Sequence, residues 1–519
     1  MPLPFWPIEL SNGEFIPRNP RTHELAAIDE IRRRADRVAS RTGLDRRRFL
    51  GRAGGMVVVL GVLNGCASSG ESGPPSPTST SSSSSSSTTS TTASTLPPST
   101  TGGEFEVPAE PEDEEACESI LGDQGEFIFD VHTHHVMPDG VWRDNAPRIE
   151  QMIDRLVPAG CSAADRLECL DRIAYVNDLF LASDTTVSLL SDVPNSGDAD
   201  APVPFDAKVG TAEFAHSLVA GGQPRVLVQD VIAPNFGALD ARLDLMEATH
   251  AGGYVASFKV YTAWGPDQQG YALDDPAIGL PVLEQARSLG VDIIAAHKGL
   301  PLLEFDRRFN GPRDVVSAAA QYPDLRFIVY HSAFERETYE GPYDSNSADT
   351  GINSLVKAMD DMGLPPNSNV YCELGTTWRE TMRDPTQAAH AVGKLLNRMG
   401  EDRVLWGTDG IWLGSPQAQI MAFRTFAITE AFQEQFGYPA LTDEIKRKVF
   451  GLNAADLFGL DPEATRCAVD ATALYAARLE ANELVNAGVV PSPTRPRGYA
   501  TRREVLTWLQ GPDRPSAPF

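Results

Sequence analysis

From residue 127 onward the chain alternates two patterns: short apolar runs rich in β-branched residues, and longer stretches whose apolar positions recur every three or four residues. The short runs are FIFDVH (127 to 132), TTVSLLS (185 to 191), RVLVQDV (225 to 231), ASFKVYT (256 to 262), VDIIAAH (291 to 297), RFIVYH (326 to 331), NVYCELG (369 to 375) and RVLWGTD (403 to 409). Each has the length and residue types of a strand. Between them, IGLPVLEQARSLG, PRDVVSAAAQYP and PTQAAHAVGKLLNRMG carry apolar faces at helical spacing and close near Gly or Pro, as helix ends do. Eight strands alternating with helices predict an α/β fold, a (β/α)8 TIM-type barrel over residues 121–460. Residues 461–519 read as a C-terminal helical extension, packed on the barrel or placed at a contact between copies in a homo-oligomer.

An open doubly wound sheet has the same local pattern. The polar positions favour the barrel, because five of the eight runs end in, or carry near their end, a His, Lys or Asp, and a barrel gathers those ends on one face. No GxGxxG follows a strand and no GxxxxGK[ST] occurs, so the nucleotide-binding open sheet lacks its usual marks.

Upstream the pattern is different. DRRRFLGRAGGMVVVLGVLNGC joins the basic cluster Arg46 to Arg48 to an apolar run from Met56 to Leu63. That run is too short to span a bilayer, which takes roughly 20 residues. Basic, apolar and small residues in this order are those of an export signal, the plainer alternative being a basic loop before a buried helix. Arg46 and Arg47, followed by Phe49 and Leu50, resemble a bacterial twin-arginine signal, and LNGC resembles a lipobox in which Cys66 is lipidated. Residues 1–65 thus read as a twin-arginine lipoprotein signal region. Residues 66–120, dominated by Ser, Thr and Pro, read as a flexible tether with too little apolar surface to offset the entropy of ordering. On this reading the protein is exported and held at the outer face of the bacterial cytoplasmic membrane by its lipid anchor only.

The 519 residues are 42% hydrophobic, enough for a large core once the tether is set aside. Asp and Glu outnumber Lys and Arg by 71 to 44, and the net charge of -27 argues against nucleic-acid phosphate or anionic lipid as partner. The six cysteines show no CxxC pair and no Cys/His ligand spacing, which removes zinc fingers and dithiol redox sites. Cys161 and Cys169, close together in AGCSAADRLECL, either pair in an oxidising compartment or stay as buried thiols.

Three of the nine histidines fall within four positions of FIFDVHTHH. Side chains at i and i+2 of a strand share a side, so His132 and His134 aim together and His135 elsewhere. Two neutral imidazoles at a barrel mouth are half of a site for zinc or a similar ion, with polar strand-end packing as the bland alternative. His297, His331 and Asp409 at the ends of the fifth, sixth and eighth runs extend the set.

The motifs DVHTHH, AAHKGLP, VYHSAF and VLWGTDG, with LTDEIKRKVFGLNAADLFGL (441 to 460) behind them, resemble the metal-dependent amidohydrolase superfamily. Within it they are similar to the amidohydrolase-2 branch of hydrolases and non-oxidative decarboxylases. The resemblance implies His132, His134, His297 and Asp409 as ligands of one divalent ion, zinc or else manganese or a similar metal. Asp409 would also take a proton from the bound water, and His331 would serve as acid/base, as carbonyl-polarising group or as ligand to a second ion. Lys259 in SFKVYTAWG stands where some members carry a carboxylated lysine bridging two metals, in a context similar to the dihydropyrimidinase-type motif. As a plain ammonium it would instead hold a substrate carboxylate or serve structure, having donors and no acceptor.

Other residues carry bland readings beside functional ones. Lys298 is either a substrate contact or a solvated lysine, and Glu373 a partner for an imidazole or a salt-bridged core residue. Trp264 and Trp412 line a pocket or pack loops. The expected activity is hydrolysis of a C–N or C–O bond in a small substrate by metal-bound hydroxide. The alternatives are a metal-dependent non-oxidative decarboxylase of the same fold and a non-catalytic surface-binding lipoprotein.

Overall fold

A computed structural model describes residues 101–106, 126–157, 161, 163–217, 224–302, 305–412 and 414–467. Arg46, Arg47 and Cys66, most of the tether, and the C-terminal extension beyond residue 467 lie outside them. Among the described residues no helix is long and apolar enough to cross a membrane.

The eight predicted runs form β1 (Phe129–Thr133), β2 (Val187–Leu190), β3 (Val226–Ile232), β4 (Val255–Val260), β5 (Ile293–His297), β6 (Arg326–Tyr330), β7 (Val370–Glu373) and β8 (Val404–Leu405). Each pairs in parallel with the next in chain order, so the sheet curls into a (β/α)8 barrel. Closure comes from β1 meeting the chain after β8. Val131 N–H donates to Trp406 O at 3.0 Å, and Thr133 bridges Gly410. Asp130, wholly buried, ties the seam by accepting from the N–H and hydroxyl of Thr408.

Alternation along each strand sets the layers. Val187, Leu189, Ile293, Ala295, Ile328, Tyr330 and Leu405 point inward with Phe129 and Val131, over a floor of Ala454, Ala455 and Leu457. The opposite faces, such as Phe258, Ile294 and Phe327, pack against the helices Gly279–Ser288, Arg313–Gln321 and Gly351–Met362 through Val282, Val316 and Val356.

One departure from strict alternation positions the functional site. Between Asp130 and Thr133 the register of β1 against β2 shifts by a residue, a β-bulge in which Asp130 Oδ1 accepts from His132 N–H. Phe129 and Val131 face inward before it. After it Thr133 turns outward to Tyr175 OH, and His132 and His134 turn into the barrel mouth.

The tether expectation needs one correction: Gly103–Phe105, within residues 66–120, is a strand paired antiparallel with Phe426–Ile428. Phe105 packs on Phe426, with ring centroids 5.5 Å apart, and that apolar contact gives this short segment something to order against. Of the extension, Pro462–Cys467 is helical. Cys161 and Cys169 are joined as a disulfide.

Candidate metal centre

The strand ends converge at the C-terminal mouth of the barrel. Among the described residues, two groups of three bring ligand atoms within 4.8 Å of one another: His132, His134 and Asp409, and His132, His331 and Glu373. His134 Nε2 lies 3.4 Å and His132 Nε2 3.6 Å from Asp409 Oδ1. Two ligand atoms bound to one tetrahedral zinc at ~2.0–2.1 Å stand about 3.3–3.4 Å apart, so these spacings suit joint ligation.

Asp409 is held in place by its neighbours. Oδ2 accepts from the Thr376 hydroxyl at 2.7 Å and Oδ1 from Trp412 Nε1 at 3.2 Å. Burial would raise its pKa, but His132, His134 and His331 outweigh that and hold it well below the usual carboxylate range. Its backbone adopts φ +58, as do His331 at +60 and Thr376 at +58. Left-handed conformations at non-glycine residues cost on the order of 1 kcal/mol each, and they cluster here where strand ends must aim side chains inward.

His297 and His331 form a second arrangement. His297 Nε2–H donates to Leu300 O at 3.1 Å and His331 Nδ1–H to Gly375 O at 2.8 Å. A carbonyl can only accept, so these contacts fix both tautomers. The remaining nitrogens, His297 Nδ1 and His331 Nε2, face each other at 3.2 Å. Burial lowers both pKa values, that of His331 to about 4, so both imidazoles are neutral and two lone pairs are opposed. That is the donor set a cation satisfies, again at the spacing of two ligands. The geometry thus groups His297 with His331.

Lys259 lies between these pairs, fully buried, with Nζ 3.4 Å from His132 Nε2 and over the rings of Tyr330 and Tyr261 at 4.4 and 4.8 Å. Burial lowers its pKa to about 7, against the pull of Asp409, Glu373 and Asp192.

Glu373 supports the first cluster. Its Oε2 accepts from His132 Nδ1–H at 3.3 Å and from His331 N–H at 2.9 Å, which presents His132 Nε2 as a lone pair. The carboxylate fits only because residues 375 and 407 are glycine: a Cβ on Gly407 would stand 1.8 Å from Oε1 and one on Gly375 2.2 Å.

Several sequence readings resolve. His135 turns away to Thr211 Oγ1 at 2.9 Å. Lys298 is neither solvated nor open to substrate: it is buried and pairs with Asp314 at 2.6 Å, donating also to Thr262 Oγ1 and Phe309 O. Trp412 stacks on His134 with centroids 5.2 Å apart. Trp264 packs on Phe236 and lines a groove of about 890 Å³ between the loops after β1, β2, β4 and β5. Thr376 and the seam residue Asp130 were missed; a charged residue inside the apolar run of β1 was the available signal for Asp130.

A parallel barrel with convergent imidazoles and a carboxylate at its C-terminal mouth defines a metal-dependent barrel enzyme acting on a small molecule. The family model described as Amidohydrolase matches residues 129–460, and the protein belongs to that family. Among solved structures the chain is similar to a putative metal-dependent hydrolase of Lactobacillus casei, at 13% identity over 65% of this chain and 96% of that one, with TM-score 0.36. It is also similar to a Xaa-Pro dipeptidase with methionine bound in its active site, at 12% identity over 64% and 75% of the two chains, with TM-score 0.32. No curated protein matches the chain.

Proposed function

We propose that the protein is a hydrolase of a C–N or C–O bond in a small substrate, with zinc as its ion. The observation that carries this reading is the convergence of His132 Nε2, His134 Nε2 and Asp409 Oδ1 at ligand spacing. These three would hold one ion; His297, His331 and a carboxylated Lys259 would hold a second. When bound, a divalent ion supplies Lewis-acid polarisation and lowers the pKa of a bound water from about 15.7 to about 7.

The chain's own residues do the rest. Asp409, ionised and fixed by Thr376, accepts the proton of the attacking water. Lys259, with a pKa near 7, is in part a neutral amine at neutral pH, the form whose nitrogen adds to the carbon of carbon dioxide and then loses a proton. The resulting carbamate has acceptor oxygens where the ammonium had only donors. Decarboxylation would need a group that protonates a carbanion; the N–H groups of both His297 and His331 are spent on backbone carbonyls, and a carboxylated Lys259 has no ammonium to offer. This favours hydrolysis and a ligand role for His331.

The reading includes export through Arg46 and Arg47 and lipid anchoring at Cys66, supported by the order of basic, apolar and small residues. The Cys161–Cys169 disulfide supports an oxidising compartment.

The experiment is turnover by zinc-loaded protein of a panel of amides, esters and lactones in ¹⁸O-water. Product carrying one solvent oxygen is expected. Release of carbon dioxide from an aromatic acid, with no solvent oxygen in the product, would overturn the reaction class.

A further inference from the structure

The segment after β1 folds back onto the strand it leaves. Val136 N–H donates to Leu170 O at 2.8 Å, one residue past the cysteine that pairs with Cys161, and the helix Arg172–Val176 that follows carries the wholly buried Tyr175. The Tyr175 ring belongs to one apolar cluster with Val136, Leu170 and Trp412. Its hydroxyl stands 2.7 Å from Ser188 Oγ and 2.8 Å from Thr133 Oγ1. Thr133 Oγ1 donates its hydrogen to Leu189 O at 2.8 Å, so Tyr175 O–H donates to Thr133 and Ser188 O–H to Tyr175. Three hydroxyls thus form a directed chain that ends on a backbone carbonyl of β2.

Thr133 stands between His132 and His134, at the end of the β1 bulge. Its backbone is held on both sides, Thr133 O accepting from Ser191 N–H at 2.9 Å and the residue bridging Gly410, next to Asp409. These contacts fix where Thr133 lies, and the hydroxyl chain fixes its side chain on the outer face. Successive side chains of an extended backbone alternate between faces, so holding Thr133 outward directs the residues before and after it inward.

We infer that Tyr175 is a positioning residue for the metal centre: through Thr133 it aims His132 Nε2 and His134 Nε2 at Asp409. The inference rests on reading those three side chains as ligands of one ion. Imidazoles bind a metal more weakly once the groups that orient them are lost, and a buried hydroxyl left without its donor adds to the loss.

The test is zinc affinity of the full chain by chelator competition, read for the tighter equivalent, beside the visible spectrum of cobalt-substituted protein. Tyr175→Phe keeps the ring and removes the hydroxyl; it should bind zinc ~10-fold more weakly than wild type and shift the cobalt spectrum, which reports ligand geometry. Thr133→Val should lose as much, and the two changes together no more than either alone, because both break one chain. Thr133→Ser, which keeps the hydroxyl, should retain wild-type affinity and spectrum. Wild-type affinity and spectrum in Tyr175→Phe overturn the inference while leaving the metal reading in place, as do additive losses or an equal loss in Thr133→Ser. If Tyr175→Phe proves misfolded, Thr133→Val decides, and unchanged affinity there overturns the inference. Absence of zinc uptake by wild type overturns the metal reading and the inference with it.

Discussion

The two sides of the barrel mouth use the same imidazole chemistry and differ in charge. Beside β1 and β8, His132 and His134 face the Asp409 carboxylate. Beside β5 and β6, His297 Nδ1 and His331 Nε2 face each other as opposed lone pairs. The first side offers a divalent cation both donors and a compensating charge. In the second the two facing nitrogens are neutral donors, and Glu373 accepts from the His331 N–H. Lys259, which acts electrostatically on both histidine pairs, supplies positive charge as an ammonium and negative charge as a carbamate. On the proposed reading, the state of this buried lysine would decide whether the second side holds an ion.

The sharpest way to break this contrast is Asp409→Asn, which removes the carboxylate that faces His132 Nε2 and His134 Nε2. Turnover should fall by ~10³-fold or more while the Tm moves by no more than a few degrees, as activity and thermal melting would record. Undiminished turnover would deny Asp409 both roles. Next in size, Lys259→Met should empty the second side alone, lowering zinc from two equivalents to one and turnover by ~10²-fold, read by elemental analysis beside kinetics. Equal loss from both sides would break the asymmetry. Glu373→Gln should weaken zinc binding by about 10–100-fold, measured by chelator competition, because a weaker amide oxygen replaces the carboxylate that accepts from His132 Nδ1–H and presents its Nε2. The smallest effect is expected from Thr376→Val, which costs Asp409 one hydrogen bond: a kcat lower by ~2–10-fold with KM unchanged.

The contrast was only partly legible in the sequence. All eight strands announced themselves because buried parallel strands are continuous apolar runs, and the i, i+2 spacing of His132 and His134 required them to share a side. Which side was not legible. Carrying the alternation on from Phe129 and Val131 would turn both histidines outward, and a bulge held by the Asp130 side chain reverses the phase. The partnership of His297 with His331 depends on carbonyls of Leu300 and Gly375, which sequence spacing does not reveal. Lys298 was misread for a related reason: its counter-ion, Asp314, sits on the next helix, and its burial follows from that packing.

Counting metal in zinc-reconstituted wild type and Lys259→Met tests most directly whether the centre is paired and whether its second half depends on Lys259. Two equivalents per chain in wild type and one in the variant are expected. One equivalent in both would contradict the pairing, and no stoichiometric zinc in wild type would contradict the metal centre itself.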